Sequence, residues 1–341
     1  MSGLDGILVV AKPAGPTSHD VVALVRRLAA TKRVGHGGTL DPFAGGVLPL
    51  FLGRATRVVE YHLGDRKAYR ATVCFGATTS TDDLEGELVP VPGPGPTREA
   101  VEAALPALRG RITQTPPAYS ALKVGGRRAY ALARAGQQVE LAPRDVEIDR
   151  LDIVEWDESD PERPVAIVDV VCSAGTYVRA LARDLGAAVG SGAYLGALTR
   201  TASGPFTLDD ATPLDDVRAA AAAGPETLKA LLRPIDAGLE DLPVAQLSAA
   251  DATAVSRGQF VSAPASVARS TTGPIRLVGP DGELLGFGML RDARLAPDKV
   301  LVAPPAPART AADTLDEAAD AAAEADPPTS IDPDPASPDD V

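Results

Sequence analysis

Hydrophobic periodicity predicts short strands and helices in an irregular order along the first part of the chain. Residues 7–10 are an apolar strand candidate. The apolar positions that follow are spaced as on one face of a helix: Val21, Leu24, Val25 and Leu28. Thr17 with Asp20, or alternatively Ser18, can cap the start of this helix.

The same pattern continues in the middle of the chain. Residues 69–75 alternate between apolar and polar side chains, as in a half-buried strand. Residues 165–172 are apolar almost throughout, which predicts a central strand, and residues 178–185 have the spacing of a helix directly after it. Strands and helices in this irregular order favour an α+β fold over a regular βαβ repeat.

The last third of the chain predicts a second, smaller domain. Ser248 and Asp251 fit a capping box for a helix that Gly258 can end. Residues 275–278 and 284–289 then predict two strands around a turn. A chain of 341 residues is also long for a single core.

Charge is distributed unevenly along the sequence. The net charge is −13, but residues 310–341 contain ten Asp or Glu and no Lys or Arg, so the rest carries about −3. We expect residues 308–341 to be an acidic disordered tail. Bases cluster near the motifs described below: Lys32, Arg33, Arg54, Arg57, Arg66, Lys67, Arg70, Lys123, Arg127 and Arg128. Such clusters attract phosphates, although charge alone favours an ordinary solvated surface.

Several classes of protein are disfavoured by composition. The sequence has no apolar run of 18 residues and no signal-peptide pattern, so we expect a cytoplasmic protein without a membrane partner. Cys74 and Cys172 are the only cysteines; two free thiols are expected, and a disulfide remains open on count alone. The residues offer neither a zinc site nor an iron–sulfur site, and we expect no metal and no cofactor.

The most informative segment is the glycine-rich stretch at residues 35–50. It holds Asp41 between Leu40 and Pro42, with His36 five residues earlier. Glycines let a backbone turn tightly and let a ligand approach it, while Pro42 biases Asp41 toward an extended conformation. The segment therefore predicts one carboxylate held at a defined point. A turn or cap is the alternative for a single Asp-Pro.

Two familiar glycine motifs do not explain this stretch. A lipase-type hydrolase requires a Gly-x-Ser-x-Gly elbow, which the chain lacks. A phosphate-binding loop requires Gly-Lys-Ser/Thr after its glycines, and none follows.

Five ordered blocks carry a resemblance to a known family. They are KPAGPTSHD at 12–20, RVGHGGTLDP at 33–42, KAYR at 67–70, QTPPAYSALK at 114–123 and CSAGTYVR at 172–179. Together they resemble the tRNA pseudouridine synthases of the TruB type. The chain has Ala44-Gly45-Gly46 where the family commonly has Ala-Thr-Gly, a difference that removes no proposed catalytic group.

The resemblance implies a pseudouridine synthase fold of the α+β class. This fold has a central mixed, mainly antiparallel sheet flanked by helices and loops, followed by a small C-terminal PUA-like β-barrel domain. The implied domains are a catalytic domain at 1–235 and a PUA-like RNA-binding domain at 236–307, ahead of the acidic tail. Residues 117–145 are expected to form a mobile clamp over the RNA.

The implied activity is isomerisation of uridine to pseudouridine at position 55 in the T loop of tRNA, after base flipping. The implied partner is the T arm of tRNA, with no obligate protein partner and a monomeric enzyme. By resemblance, Asp41 is the nucleophile or base, Arg179 its ion-pair partner, and Tyr69 the residue that stacks on the base. Residues expected to contact RNA, line the pocket or support the loop are His36, Lys12, Tyr177, Leu198, Lys123, Arg127 and Arg128.

Purely structural alternatives remain open at these positions. Arg179 lies beside the apolar stripe at Val178 and is equally compatible with a surface position, and Tyr69 with a plain core position. His36 is alternatively a loop-stabilising histidine, and Lys12 a surface cation. An RNA-binding or RNA-folding factor that keeps the fold without the chemistry is the rival function.

Overall fold

The computed structural model describes residues 3–120, 122–124, 126–135, 137 and 141–303. The chain divides into two compact units, Met1–Leu242 and Pro243–Val341. Residues 236–242, which the sequence expectation assigned to the second domain, fall in the first unit. The expected acidic tail at 308–341 lies outside the described residues.

The strands of the described residues are numbered in chain order. They are β1 (Gly6–Lys12), β2 (Val34–His36), β3 (Gly45–Leu52), β4 (Lys67–Phe75), β5 (Ala77–Thr79), β6 (Leu88–Pro90), β7 (Gly110–Gln114), β8 (Lys123–Val124), β9 (Arg127–Arg128), β10 (Arg144–Asp157), β11 (Val165–Cys172), β12 (Ala193–Ser203), β13 (Phe206–Thr207), β14 (Thr212–Pro213), β15 (Val244–Gln246), β16 (Val261–Ser262), β17 (Ile275–Val278), β18 (Leu284–Arg291) and β19 (Arg294–Val300).

The α-helices of the same residues are short. They are α1 (Ser18–Leu28), α2 (Val59–Leu63), α3 (Arg98–Ala104), α4 (Ala129–Arg134), α5 (Val178–Ala188), α6 (Leu214–Ala223), α7 (Pro225–Ala230) and α8 (Ala249–Ser256). Two 3₁₀ segments, Gly53–Arg57 and Leu105–Leu108, complete the set.

One large sheet forms the frame of the first unit. Its strand order is β14-β1-β3-β12-β4-β11-β10-β7, with β2 beside β3 and β13 beside β12. Only the pairs β1–β14 and β3–β12 are parallel. The α+β class with a mixed, mainly antiparallel sheet is therefore confirmed. Strand β11 is central, as its apolar run predicts, because β4 and β10 flank it.

The two predicted helices of this unit are confirmed and pack into separate apolar clusters. Helix α1 begins with a capping box in which Thr17 and Asp20 bond each other's backbone N–H. Its buried residues Val21, Val22 and Val25 pack with Leu48 of β3. In α5 four of the buried residues, Val178, Leu181, Ala182 and Leu185, belong to a second cluster that also contains residues of β4, β11 and β12. Each valine or leucine side chain among them contributes about 1.5–3 kcal/mol when fully buried.

The second unit contains the predicted helix and hairpin. Ser248 caps α8 by accepting a hydrogen bond from the N–H of Asp251. Strands β17 and β18 pair antiparallel, within a five-stranded sheet of order β15-β17-β18-β19-β16. Ile275, Leu277 and Leu295 are buried in its apolar cluster. The expected small C-terminal β domain is confirmed, and its sheet is consistent with a PUA-like fold.

Two expectations from composition can be compared with the structure. Cys74 and Cys172 are both free thiols. Within the described residues, no helix is long and apolar enough to cross a membrane.

Close approach of β3 to β12 depends on glycine at position 46. Gly46 has φ +103°, and a Cβ there would lie 2.2 Å from the backbone oxygen of Arg200. We predict that Gly46→Ala lowers the free energy of unfolding by at least about 2 kcal/mol, because backbone strain and overlap add. Urea unfolding followed by circular dichroism measures this change.

Gly64→Ala is the matched control. Gly64 has φ −80°, and a Cβ there would meet nothing within 4 Å. This variant should stay within about 1 kcal/mol of wild type. Equal stability of the two variants would show that β3 and β12 tolerate a side chain between them.

Candidate active site

Asp41 lies in the segment 37–44 between β2 and β3, here called the aspartate loop. Side chains from three different elements, β12, α1 and β1, hold the backbone of this loop. Arg200 of β12 donates to the carbonyls of Gly38 (3.1 Å) and Thr39 (3.3 Å). Ser18, the first residue of α1, donates to the carbonyl of Leu40 at 3.0 Å and accepts from its N–H at 2.8 Å. Asp41 is thus fixed by bonds to the residues directly before it.

Lys12, the last residue of β1, holds the other side of the loop. Its ammonium donates to the carbonyls of Ala44 (2.6 Å), Pro13 (2.9 Å) and Pro42 (3.3 Å). Burial lowers the pKa of Lys12 to about 8, against the opposing charge of Asp41. The surface-cation alternative is therefore wrong, because Lys12 is buried beneath the loop.

Arg179, in the first turn of α5, is the ion-pair partner of Asp41. Its Nη2 donates to Asp41 Oδ1 at 3.2 Å, and its Nε lies 3.0 Å from Oδ2 without the alignment of a hydrogen bond. The guanidinium also donates to the carbonyls of Thr81 (3.1 Å) and Tyr119 (3.0 Å). Arg179 is only 5% exposed, which removes the surface alternative.

Asp83 is a second carboxylate on the same guanidinium. Its Oδ2 lies 3.2 Å from Nη1 of Arg179, and its Oδ1 accepts from Thr81 Oγ1 (2.5 Å) and from the N–H of Glu85 (3.0 Å). The side chain of Asp83 is 4% exposed, whereas that of Asp41 is 34% exposed. Of the two carboxylates, only Asp41 is open to a ligand.

The electrostatics of Asp41 follow from this arrangement. Burial raises the pKa of Asp41 above its usual value, and Asp83 adds to the rise, while Arg179 and Lys12 oppose it. The carboxylate is thus desolvated but oriented by a fixed cation. This combination suits a carboxylate that takes part in chemistry.

Tyr69 lies on β4, directly opposite Arg200 of β12. Its ring packs against the apolar cluster that contains Leu40 and Leu198. Burial raises the pKa of the Tyr69 phenol, and the neighbouring Arg200 opposes that rise. An aromatic ring, an apolar wall and the Asp41 carboxylate are therefore grouped at one end of β4.

The remaining predicted residues lie in different settings. Leu198 is buried on β12. Tyr177 precedes α5; its backbone exchanges two hydrogen bonds with the Gln114 side chain, and its ring lies 4.6 Å from the guanidinium carbon of Arg144. His36 ends β2 and accepts from the N–H of Gly38 through Nδ1, as a loop-stabilising histidine does.

The surroundings of His36 favour its neutral form. Burial, followed by the charge of Arg200, lowers the pKa of His36. Because Nδ1 accepts a hydrogen bond from Gly38, the ring proton lies on Nε2. His36 thus offers one N–H donor to a ligand.

The expected RNA clamp is described only in part. Residues 121, 125, 136 and 138–140 and the side chains of Lys123 and Arg128 lie outside the described part. Strands β8 and β9 pair as a two-stranded ribbon, and Arg127 is exposed. The mobility of this segment stays a prediction.

Bases that follow the aspartate loop in sequence are largely engaged with other groups. Arg66 is ion-paired with Glu147 at 2.6 Å, Arg70 with Asp169 at 2.9 Å, and Lys67 is buried. Their clustering in the sequence therefore does not by itself make a free phosphate-binding surface.

Sequence reasoning missed Asp83 and Arg200. Asp83 stands in the run Thr81-Asp82-Asp83, which has the composition of an ordinary turn. Arg200 interrupts the strand 193–203 without any motif around it. No local signal distinguishes either residue, because their partners are distant in sequence.

Models of known protein families match three consecutive parts of the chain. Residues 26–178 match the model of the TruB family pseudouridylate synthase N-terminal domain. Residues 179–240 match the tRNA pseudouridylate synthase B C-terminal domain, and residues 243–301 match the C-terminal domain of pseudouridine synthase II TruB.

Curated relatives extend over most of the chain. The tRNA pseudouridine synthase B of Bradyrhizobium diazoefficiens is 44% identical, covering 86% of this chain and 85% of the relative. That of Symbiobacterium thermophilum is 49% identical, covering 75% and 83%. A solved structure of a Cbf5-Nop10-Gar1 complex matches with a TM-score of 0.66 and 25% identity, covering 88% of this chain and 86% of the matched one. The pseudouridine synthase fold is thereby confirmed, and the chain belongs to the TruB family of pseudouridylate synthases.

Proposed function

We propose that this chain converts uridine to pseudouridine in tRNA, at position 55 of the T loop, with Asp41 starting the reaction. The relatives' name, tRNA pseudouridine synthase B, supports tRNA as the substrate. The observation that carries the role of Asp41 is its carboxylate, held by Arg179 on the buried side and open on the other. Catalytic roles for Tyr69 and Arg179 belong to the same proposal.

The reaction requires no oxidation or reduction. The N1–C1′ bond of uridine breaks, the base turns, and a C5–C1′ bond forms. C5 loses a proton and N1 gains one, so atoms and charge balance without a redox partner. A carboxylate that attacks as a nucleophile or removes a proton as a base must be ionised. Arg179 and Lys12, which oppose the rise in the pKa of Asp41, favour that state.

The groups around Asp41 suit a flipped base. Base-modifying enzymes take the target nucleotide out of its stack and hold it against aromatic or apolar side chains. Tyr69 supplies such a ring, with Leu198 in the same apolar cluster. Following the family resemblance, we assign Tyr177 to the same wall. Lys12 supports the loop from below, and His36 offers its Nε2–H to the RNA.

Binding of the T arm rests on residues outside this pocket. We assign phosphate contacts to Lys123, Arg127 and Arg128 in the segment 117–145, following the family resemblance. Phosphate contacts supply much of the affinity of an RNA-binding protein, so affinity and chemistry should be separable by mutation.

The first prediction concerns chemistry at Asp41. Asp41→Asn should lower turnover by more than about 10³-fold while tRNA affinity stays within about threefold, because the loop backbone and the phosphate contacts remain. Release of tritium from 5-tritiated uridine in a tRNA transcript measures turnover, and filter binding measures affinity.

Asp157→Asn is the matched control, since Asp157 is an exposed carboxylate at the end of β10. It should retain wild-type turnover. If Asp41→Asn kept more than about a tenth of wild-type turnover, Asp41 would have no essential role in the reaction. The rival RNA-folding function would be favoured only if wild type itself released no tritium.

The second prediction concerns stability. Because folding raises the pKa of Asp41, its contribution to stability is present below the unfolded pKa and is lost as the pH rises through the folded pKa. Asp41→Asn removes an ionised, desolvated group and should raise the melting temperature at pH 7. This gain should become smaller toward pH 4. Thermal melts followed by circular dichroism measure it, and a variant that melts below wild type at pH 7 would contradict the prediction.

The third prediction concerns Arg179. Arg179→Lys should lower turnover by about 10²-fold, because an ammonium cannot replace a planar fork that holds two carboxylates. Arg183→Lys is the control one helical turn later, since Arg183 contacts Asp82 and no residue of the aspartate loop. Similar losses in both variants, in the same tritium assay, would remove the specific role of Arg179.

A further inference from the structure

Gln114, the last residue of β7, is a polar side chain with no exposed surface. Its amide is hydrogen-bonded to the backbone of Tyr177, 63 residues later in the chain. The N–H of Tyr177 donates to Oε1 of Gln114 at 2.8 Å, and Nε2 of Gln114 donates to the Tyr177 carbonyl at 3.1 Å. Both polar atoms of this buried side chain are therefore used on one residue, the residue directly before α5.

The start of α5 is not fixed by its own sequence. Tyr177 is the N-cap residue, and its side chain makes no capping hydrogen bond. Tyrosine is not among the residues that usually cap a helix, and the first N–H groups of a helix have no partner within it. Gly175, just before, has φ +87°, which glycine adopts about as readily as a negative φ. The backbone at this point is therefore held from outside the helix, by Gln114.

A second side chain from the same place on the sheet holds the same turn. Arg144 of β10 lies directly opposite Gln114 in the β7–β10 pair. It donates to the carbonyl of Gly175, and its guanidinium carbon lies 4.6 Å from the centre of the Tyr177 ring. Gln114 and Arg144 thus hold residues 175–177 from adjacent positions on two paired strands.

The position of Arg179 depends on this turn. Arg179 stands two residues after Tyr177, in the first turn of α5. Its guanidinium meets two carboxylates and two carbonyls at 3.0–3.2 Å. Contacts of this length tolerate little displacement, and misplacing a group of an active site by about 1 Å can lower a rate by about 10²-fold. A shift at the start of α5 would therefore disturb the contact between Arg179 and Asp41.

We propose that Gln114 is a positioning residue that fixes the start of α5 and so aligns Arg179 with Asp41. Its hydrogen bonds go to the backbone of Tyr177 and not to Arg179 or Asp41, so it acts through the helix. If packing alone were required, an apolar side chain of the same length would fill the position without the cost of burying an amide. The inference rests on the proposed function, because it assumes that the Arg179–Asp41 pair takes part in the isomerisation.

A double-mutant cycle separates this role from simple scaffolding. The four proteins are wild type, Gln114→Met, Arg179→Lys and the double variant. Gln114→Met removes the amide and keeps a side chain of similar length. The first readout is the single-turnover rate of tritium release from 5-tritiated uridine in a saturating tRNA transcript, with tRNA affinity measured by filter binding. The second readout is hydrogen exchange of residues 178–182, where the N–H of Leu181 bonds to the Tyr177 carbonyl.

We expect Gln114→Met to lower the single-turnover rate by about tenfold or more, with tRNA affinity within about threefold. In the Arg179→Lys background the same change should cost less than about threefold, because the aligned guanidinium is already absent. Exchange at the start of α5 should become about tenfold faster in Gln114→Met. Gln114→Glu should also be slower than wild type, since an ionised carboxylate has no donor for the Tyr177 carbonyl.

Arg109→Met is the matched control. Arg109 also donates to a backbone carbonyl, that of Leu151, and pairs with Asp152, both on β10. Its loss removes a side chain that bonds the same sheet and leaves the Gln114–Tyr177 contact in place. The single-turnover rate should stay within about twofold of the parent in both backgrounds, and exchange at 178–182 should not change.

Three results would overturn the proposal. An equal cost of Gln114→Met in both backgrounds would show that Gln114 does not act through Arg179. A wild-type rate or unchanged exchange at 178–182 in Gln114→Met would show that the start of α5 does not depend on the amide. Loss of the folding transition in both Gln114→Met and Gln114→Glu would make Gln114 a scaffold residue. Failure of the proposed function is distinguishable, since wild type itself would then release no tritium while exchange at α5 would still respond to Gln114→Met.

Discussion

The site depends on buried side chains that donate hydrogen bonds to the backbone of the aspartate loop on both sides of Asp41. A glycine-rich loop has little conformational preference of its own, and its carbonyls must be satisfied when it is buried. Arg200, Ser18 and Lys12 supply those bonds from β12, α1 and β1. The loop is therefore ordered by the folded sheet and its neighbouring helix. The position of Asp41 is therefore set by donors outside the loop and not by side chains of the loop itself.

The charged side chains of the site also fix one another's positions. Arg179 binds Asp41 and the buried Asp83, so its position does not depend on Asp41 alone. Lys12 lies close enough to Asp41 for the charge of the carboxylate to oppose the lowering of the lysine pKa by burial, and burial also lowers the pKa of Arg200. Replacing such groups by apolar residues often stabilises a protein. Their presence here fits a site in which stability is given up for geometry.

Periodicity predicted some of the elements, and the glycine-rich stretch predicted Asp41. Helices α1 and α5 and strands β4 and β11 follow their apolar spacing, because each packs one face or both faces into a continuous core. The environment of Arg179 was not predictable in this way. Its burial depends on the turn that carries Thr81 and Asp83, about one hundred residues earlier in the chain. Arg200 gave no signal at all, since its partners lie on β3, β4 and the aspartate loop.

Gly45, which stands where the family commonly has threonine, lies close to the backbone of Lys12. A Cβ at Gly45 would lie 3.2 Å from the backbone oxygen of Lys12, in close but not overlapping contact. The threonine common in the family would therefore require Lys12 to shift by a few tenths of an ångström. The ammonium of Lys12 holds the carbonyls of Ala44 and Pro42, so any shift of Lys12 reaches both sides of the loop after Asp41. Glycine at position 45 leaves β1 and β3 free to approach closely, and the position of the aspartate loop is then set by the Lys12 ammonium rather than by a side chain at 45.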